Sequence, residues 1–267
     1  MHPSRSPIGL SKDALTASSA RPKQTIMQSF ILALLLCAGI GFDPDHVRAA
    51  DYEQSQPDQI VLLHGIGKSS RSMQKLANNL ERAGYHVLNL SYPSTHFTIE
   101  AQTAHVTPLI RSTFSPSITT HFVGHSMGGL VAISTAQNLP DFSIGRMVQL
   151  GTPNFGSEVA DWLVKNPIYQ RFYGPAGAQL TTRAQKPAAN ARLPYELGII
   201  AGSATIDPIS SMIIPGKDDG KVAVLRTVHP AMQDHITIAV AHPFLPGSAQ
   251  AGSQVKYFLK HGKFNRN

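Results

Sequence analysis

The run Thr120-His121-Phe122-Val123-Gly124-His125-Ser126-Met127-Gly128-Gly129-Leu130 sets a serine between two glycines in a G-x-S-x-G arrangement. A serine hydroxyl attacks a carbonyl carbon only when a base removes its proton and donors receive the oxyanion. The five-residue pattern alone is weak, and its surroundings decide how to read it. This copy joins an apolar run directly to a helix-like segment. The joining turn must be tight and strained, with the Ser126 hydroxyl exposed at the start of the helix. Side chains at Gly124 and Gly128 would collide with the neighbouring strand and helix. The helix dipole and the amide of Met127 favour negative charge beside the hydroxyl. The chemistry indicated is nucleophilic acyl transfer with Ser126 as the nucleophile.

A second segment, Leu62-Leu63-His64-Gly65-Ile66-Gly67, supplies donors. A His-Gly pair ending a strand can present the N–H of Ile66, which with the N–H of Met127 makes a two-donor oxyanion hole. The acid and base are expected in the chain order Ser, acid, His. The loop Pro215-Gly216-Lys217-Asp218-Asp219-Gly220-Lys221-Val222 offers Asp219, directly before a turn glycine, as the acid. Asp218 and Asp207 stay open as alternatives. Four C-terminal histidines compete as base: His229, His235, His242 and His261. His242 follows the apolar run Ile236 to Val240 on a short loop with Pro243 and is the choice. His235 begins that run, which puts it at the opposite edge of the sheet in a structural role. His125 packs within the turn, and most other histidines read as surface residues.

These groups need a frame. From Ile60 onward, short β-like runs alternate with amphipathic helical stretches, the pattern of a parallel sheet with helices on both faces. Strands are predicted at Ile60–Leu63, Tyr85–Leu90, Ile118–Val123, Arg146–Leu150, Leu197–Ala201 and Ile236–Val240. Helices are predicted at Ser72–Ala83, Ile99–Thr113, Met127–Leu139 and Gln254–Leu259, with Pro108 leaving the middle of the second open. The stretch Asn154–Tyr195, rich in Pro, Gly and Ala but carrying Trp162, Tyr169, Phe172 and Tyr173, breaks the alternation. An insertion of that length reads as a small cap over a binding cleft.

The 267 residues, 42% of them hydrophobic, suit one α/β domain. The net charge of +7 comes from scattered bases, without zinc-finger spacing or an RNA-binding aromatic motif. A solvated basic surface is the reading, and no nucleic-acid partner is expected. The single Cys37 excludes an internal disulfide framework. It lies in an apolar run from Phe30 to Phe42, preceded by Arg21 and Lys23 and followed by small residues near Ala50. Residues 1–49 therefore read as a secretory signal peptide and leader, or as an N-terminal membrane anchor, ahead of a domain at 50–267. The run is shorter than the roughly 20 apolar residues that span a bilayer, which favours export.

Taken together, the segments VLLHGIG, YPS, FVGHSMGG, LGTPNFGS and IPGKDDGKVAV resemble the α/β-hydrolase superfamily. Within it, the similarity runs to bacterial lipase-like and PGAP1-like serine hydrolases, over about residues 58–260. The resemblance implies a mostly parallel central sheet with helices on both faces and a small cap insertion. It implies a triad of Ser126, Asp219 and His242 that cleaves carboxylic esters through an acyl-enzyme, with no cofactor and no catalytic metal. A small-molecule or lipid ester is the expected substrate, with contact to a membrane surface as a further expectation. Full lipases of this kind carry a longer lid, so the short cap argues against interfacial activation and long-chain triglycerides. Acyl transfer or amide hydrolysis on the same triad, or an inactive envelope-binding protein, are the alternatives.

Overall fold

The computed structural model describes residues 56–267. The segment read as signal peptide or anchor, Cys37 included, lies outside the described residues.

Six parallel strands form one sheet in the order β2-β1-β3-β4-β5-β6. They are β1 (Gln59–Leu63), β2 (His86–Leu90), β3 (Thr120–His125), β4 (Ile144–Leu150), β5 (Glu196–Gly202) and β6 (Met232–Ile238). Every residue of β1 and β3 is buried. A strand covered on both faces needs apolar side chains in both directions. Val61, Leu63 and Phe122 accordingly enter one core, while Ile60, Leu62 and Val123 enter the other. The first core is closed by α2 (Ile99–Thr113) and α3 (Met127–Gln137), and the second by α1 (Gln74–Glu81) and α8 (Ala249–His261).

Local departures from expectation have local causes. The helix predicted from Ser72 opens as a 3-10 turn over Ser70–Met73 before α1. The second predicted helix runs unbroken through Pro108, because the proline is on the solvent side, where water can take the carbonyl its ring leaves unpaired. Helix α8 starts well before Gln254, where the Ser248 side chain caps it by accepting from the Ala251 N–H. Strand β6 begins at Met232 rather than Ile236, and His235 sits inside it opposite Ile199, not at its start. As an edge strand it is half-exposed and polar over its first half, so hydrophobicity alone reveals only its end.

The remaining helices are α4 (Glu158–Leu163), α5 (Pro167–Gln179, kinked at Gly174), α6 (Pro208–Ile213) and α7 (Val224–Thr227). The first two fill the segment expected to form a cap. No helix among the described residues is long and apolar enough to cross a membrane. Between β1 and β3 the chain reverses its direction of travel across the sheet, and the crevice at the carboxyl ends of those strands is where such sheets bind ligands.

Candidate active site

Ser126 joins β3 to α3 at that crevice with φ 55° and ψ −129°, the one positive φ outside glycine among the described residues. Such a conformation costs on the order of 1–3 kcal/mol and persists only when its surroundings enforce it. Here they do: the Ser126 N–H donates to the Leu150 carbonyl at 2.8 Å, and the chain enters α3 at once. A β-carbon on Gly124 would lie 2.4 Å from the Gly129 Cα, and one on Gly128 would lie 2.2 Å from the Leu63 carbonyl oxygen. Only hydrogen fits at either position, which explains the glycines flanking the serine.

His242 follows β6 and opens a 3-10 turn, His242–Gly247. Its Nδ1 lies 2.7 Å from Asp219 Oδ2, and its backbone N–H donates to the Asp219 carbonyl at 2.9 Å. The second oxygen of Asp219, Oδ1, accepts the N–H groups of Lys221 at 3.0 Å and Val222 at 2.8 Å. Asp219 is thus fully buried with both oxygens engaged, one of them on the imidazole. The other acids face elsewhere. Asp218 Oδ1 accepts from the Ser211 hydroxyl and the Gly220 N–H, tying its loop to α6. Asp207 caps α6 through Ser210 and pairs with Lys221 at 2.7 Å, and Lys221 holds its carboxyl well below the ordinary range.

The histidines need a correction. His64, His121 and His229 are buried, not surface residues, and His125 is buried within its turn. Burial lowers the pKa of each and keeps it neutral. His235 bonds the Thr227 hydroxyl at 3.0 Å and lies three strands across the sheet from β3, which leads to Ser126, and His261 ends α8. His125 packs beneath His242, ring centroids 4.9 Å apart, and its Nε2–H donates to the His242 carbonyl at 3.0 Å. That bond and the Asp219 contacts fix both the main chain and the ring of His242.

His64 orders the loop that carries Ile66. Its ring stacks on Tyr92 at 4.2 Å, its Nε2 accepts the Tyr92 N–H, and its Nδ1–H donates to the Gly65 carbonyl at 2.9 Å. The Tyr92 hydroxyl in turn donates to the His64 carbonyl. Gly67 is anchored by its N–H to the Ser94 hydroxyl at 3.0 Å. The turn at residues 92–94 therefore holds the loop after β1. Ile66 lines the same crevice as Ser126, and Met127 is the first residue of α3, where an amide has no partner within the helix.

Ser126 and His242 both open on a cleft of about 220 Å³. Its other wall is apolar and comes from the cap: Val159, Ala160 and Leu163 of α4, Tyr169 and Tyr173 of α5, and Leu180. A strained serine, a carboxylate-bound imidazole and an apolar cleft thus meet at one place.

The sequence of residues 60–254 matches the model of the alpha/beta hydrolase family. The chain belongs to that family. The match reaches the family as a whole and does not single out a PGAP1-like group. A search of curated protein sequences finds no match. Among solved structures, this hydrolase is similar to the mature lipase BlEst2 of Bacillus licheniformis, with TM-score 0.64 and 19% identity, over 78% of this chain and 93% of that one. The metagenomic carboxyl esterase MGS0156 superposes with TM-score 0.61 and 15% identity, over 78% and 74% of the two chains. The phospholipase PlaB of Legionella pneumophila gives TM-score 0.52 and 15% identity, over 63% of this chain and 45% of that one. At these identities the likeness is one of fold.

Several residues that shape the hydrolase site carry no sequence signal of their own. Gly151, at φ 57°, ends β4 so close to the site that a β-carbon would lie 2.9 Å from Asp219 Oδ2 and 3.1 Å from His242 Nδ1. Asn154 is buried and ties the segment after β4 to α7 by donating to Gln149 Oε1 and the Thr227 carbonyl. The Ser157 hydroxyl donates to the Lys221 carbonyl at 2.7 Å and so links the start of the cap to the Asp219 loop. The segment LGTPNFGS, at residues 150–157, contains all three residues, but only the fold says what each one holds.

Proposed function

We propose that the chain is a serine hydrolase of carboxylic esters, with Ser126 as nucleophile, His242 as general base and Asp219 as the acid orienting it. The observation that carries this reading is the 2.7 Å contact of Asp219 Oδ2 with His242 Nδ1 at the cleft onto which the strained Ser126 opens. With Nδ1–H donating to the carboxylate, Nε2 is left as the acceptor for the serine proton. Ser126 attacks the ester carbonyl, His242 takes the proton and then delivers it to the leaving alcohol, and water repeats the cycle to free the acid. The N–H groups of Ile66 and Met127 receive the oxyanion in both steps.

The apolar wall of Val159, Ala160, Leu163 and Leu180 suits the acyl part of the ester. A lipase and a carboxyl esterase among the structures of like fold agree with ester substrates. The test is Ser126→Ala. The variant is expected to fold, to lose hydrolysis of p-nitrophenyl esters and to escape labelling by a fluorophosphonate. Full activity in the variant, with the label on another serine, would refute the assignment.

A further inference from the structure

Apolar side chains crowd the outer surface of the short helices around the cleft. Trp162 of α4, Ile168 and Phe172 of α5, Ile209 and Met212 of α6 and Leu225 of α7 are each 61–87% exposed. These helices adjoin one another. Val159 and Leu163 of α4 pack with Ile214 and Ala223 at the ends of α6 and α7, and Arg226 of α7 pairs with Glu158 of α4 at 2.7 Å. Large exposed apolar groups gathered on one side of a molecule mark a binding surface rather than ordinary scatter.

Two further observations say what covers it. The first is a groove of about 570 Å³ between Gly67 and the cap, which shares the walls Leu163, Tyr169 and Tyr173 with the cleft and runs out to Ile168 and Phe172. The groove thus adjoins the cleft across Leu163, Tyr169 and Tyr173 and reaches the exposed patch, a shape that suits an extended hydrocarbon chain. The second is charge. Each acid in this crown already has a partner: Glu158 pairs with Arg226 and Asp207 with Lys221, Asp161 accepts from Thr182, and Asp218 accepts from Ser211 and Gly220. Lys68, Lys165, Arg171 and Lys217 are exposed, and among the described residues none of them makes an ion pair. Apolar and aromatic groups interleaved with free cations match an anionic lipid surface, where hydrocarbon lies just beneath negative headgroups.

We infer that this crown docks on an anionic lipid surface and that the groove receives an acyl chain drawn from it. The second half of the inference rests on the ester-hydrolase reading, whereas the docking stands apart from it.

Trp162 is the single tryptophan of the chain and lies within the patch, so its own fluorescence reports docking. Vesicles of equal parts phosphatidylcholine and phosphatidylglycerol are expected to shift its emission to the blue and to co-sediment with the protein. Pure phosphatidylcholine vesicles are expected to bind at least tenfold more weakly. Ile209→Ser with Met212→Ser, and separately Lys165→Glu, are each expected to weaken binding about tenfold or more while turnover of p-nitrophenyl acetate stays within twofold. The Ser126→Ala protein is expected to dock as well as wild type, which separates failure of the docking from failure of the hydrolase reading. Emission unchanged by either vesicle would overturn the inference, as would equal binding to both. So would a vesicle-free dimer in sedimentation whose formation buries Trp162, since a second copy would then be the occupant.

Discussion

Asp219 and Asp218 are adjacent, yet the fold gives them opposite work, and amide substitution separates them. In Asp219→Asn the amide oxygen can still accept from Lys221 and Val222, so the loop keeps its two anchors. The atom facing His242 Nδ1 at 2.7 Å loses its charge and becomes a donor. In the proposed mechanism His242 takes the serine proton, and the lost partner is then a charge about 4 Å from the centre of the imidazolium. At an effective dielectric of ~20 that attraction is about 4 kcal/mol, or roughly 10³ in rate. The amide N–H also favours the tautomer protonated on Nε2, which cannot accept from Ser126, so the total falls by about three to four orders of magnitude. In Asp218→Asn the oxygen that accepts from Ser211 and Gly220 remains an acceptor, and turnover is expected to fall tenfold at most. The assay is steady-state turnover of one activated ester by both variants, with circular dichroism melts to verify folding. If Asp218→Asn is the nearly inactive protein, or if both stay active, the assignment of Asp219 is wrong.

Gly151→Ala forces a side chain into a positive φ and against the Asp219–His242 pair, so turnover is expected to fall at least tenfold and stability by about 1–3 kcal/mol. Wild-type kinetics in that variant would mean the pair has slack its distances deny. His64, His121 and His125 are held neutral by burial, which lowers each folded pKa below its unfolded value. The unfolded chain therefore binds more protons as pH drops below about 6.5, and stability is lost from there down towards the folded pKa values. Each histidine contributes at most about 1.4 kcal/mol per pH unit. Urea unfolding at pH 7.5 and 5.5 checks the slope, and equal stability at both pH values would contradict it. Ala160→Phe narrows the cleft beside the proposed acyl path and is expected to lower turnover of p-nitrophenyl octanoate at least tenfold relative to the acetate. An unchanged ratio would place the acyl group elsewhere. Export of the chain is proposed from its first 49 residues, and mass spectrometry of the native protein is expected to find a mature start near Ala50. Retention of residues 1–45 in a cytoplasmic fraction would refute it.

The central strands were legible because burial on both faces leaves unbroken apolar runs. Ile60–Leu63 and Leu197–Ala201 each fall within a residue or two of the observed strand. The elbow at Ser126 was legible because its glycines flank the serine within five consecutive residues, Gly124 answering to the backbone of Gly128 and Gly129. What escaped depends on packing between distant segments. The polar first half of β6 belongs to the sheet by register against β5, and its sequence resembles a loop. Buried histidines look like surface ones until partners such as Tyr92, Arg146 and His242 are brought to them. Choosing Asp219 over Asp218 from sequence rested on the turn glycine that follows it. The distances that separate the two acids come from where β5 and β6 end.

The conformation of Ser126 bears on how this gene can change. Glycine takes up φ 55° without strain, so a Ser126→Gly protein should fold at least as firmly as the parent, and alanine would keep the strain while losing the hydroxyl. Stability alone would thus push this codon away from serine, and a single base change can reach glycine from some serine codons. A lineage in which the activity ceased to matter would have an easy downhill route to a sturdier, inert relative.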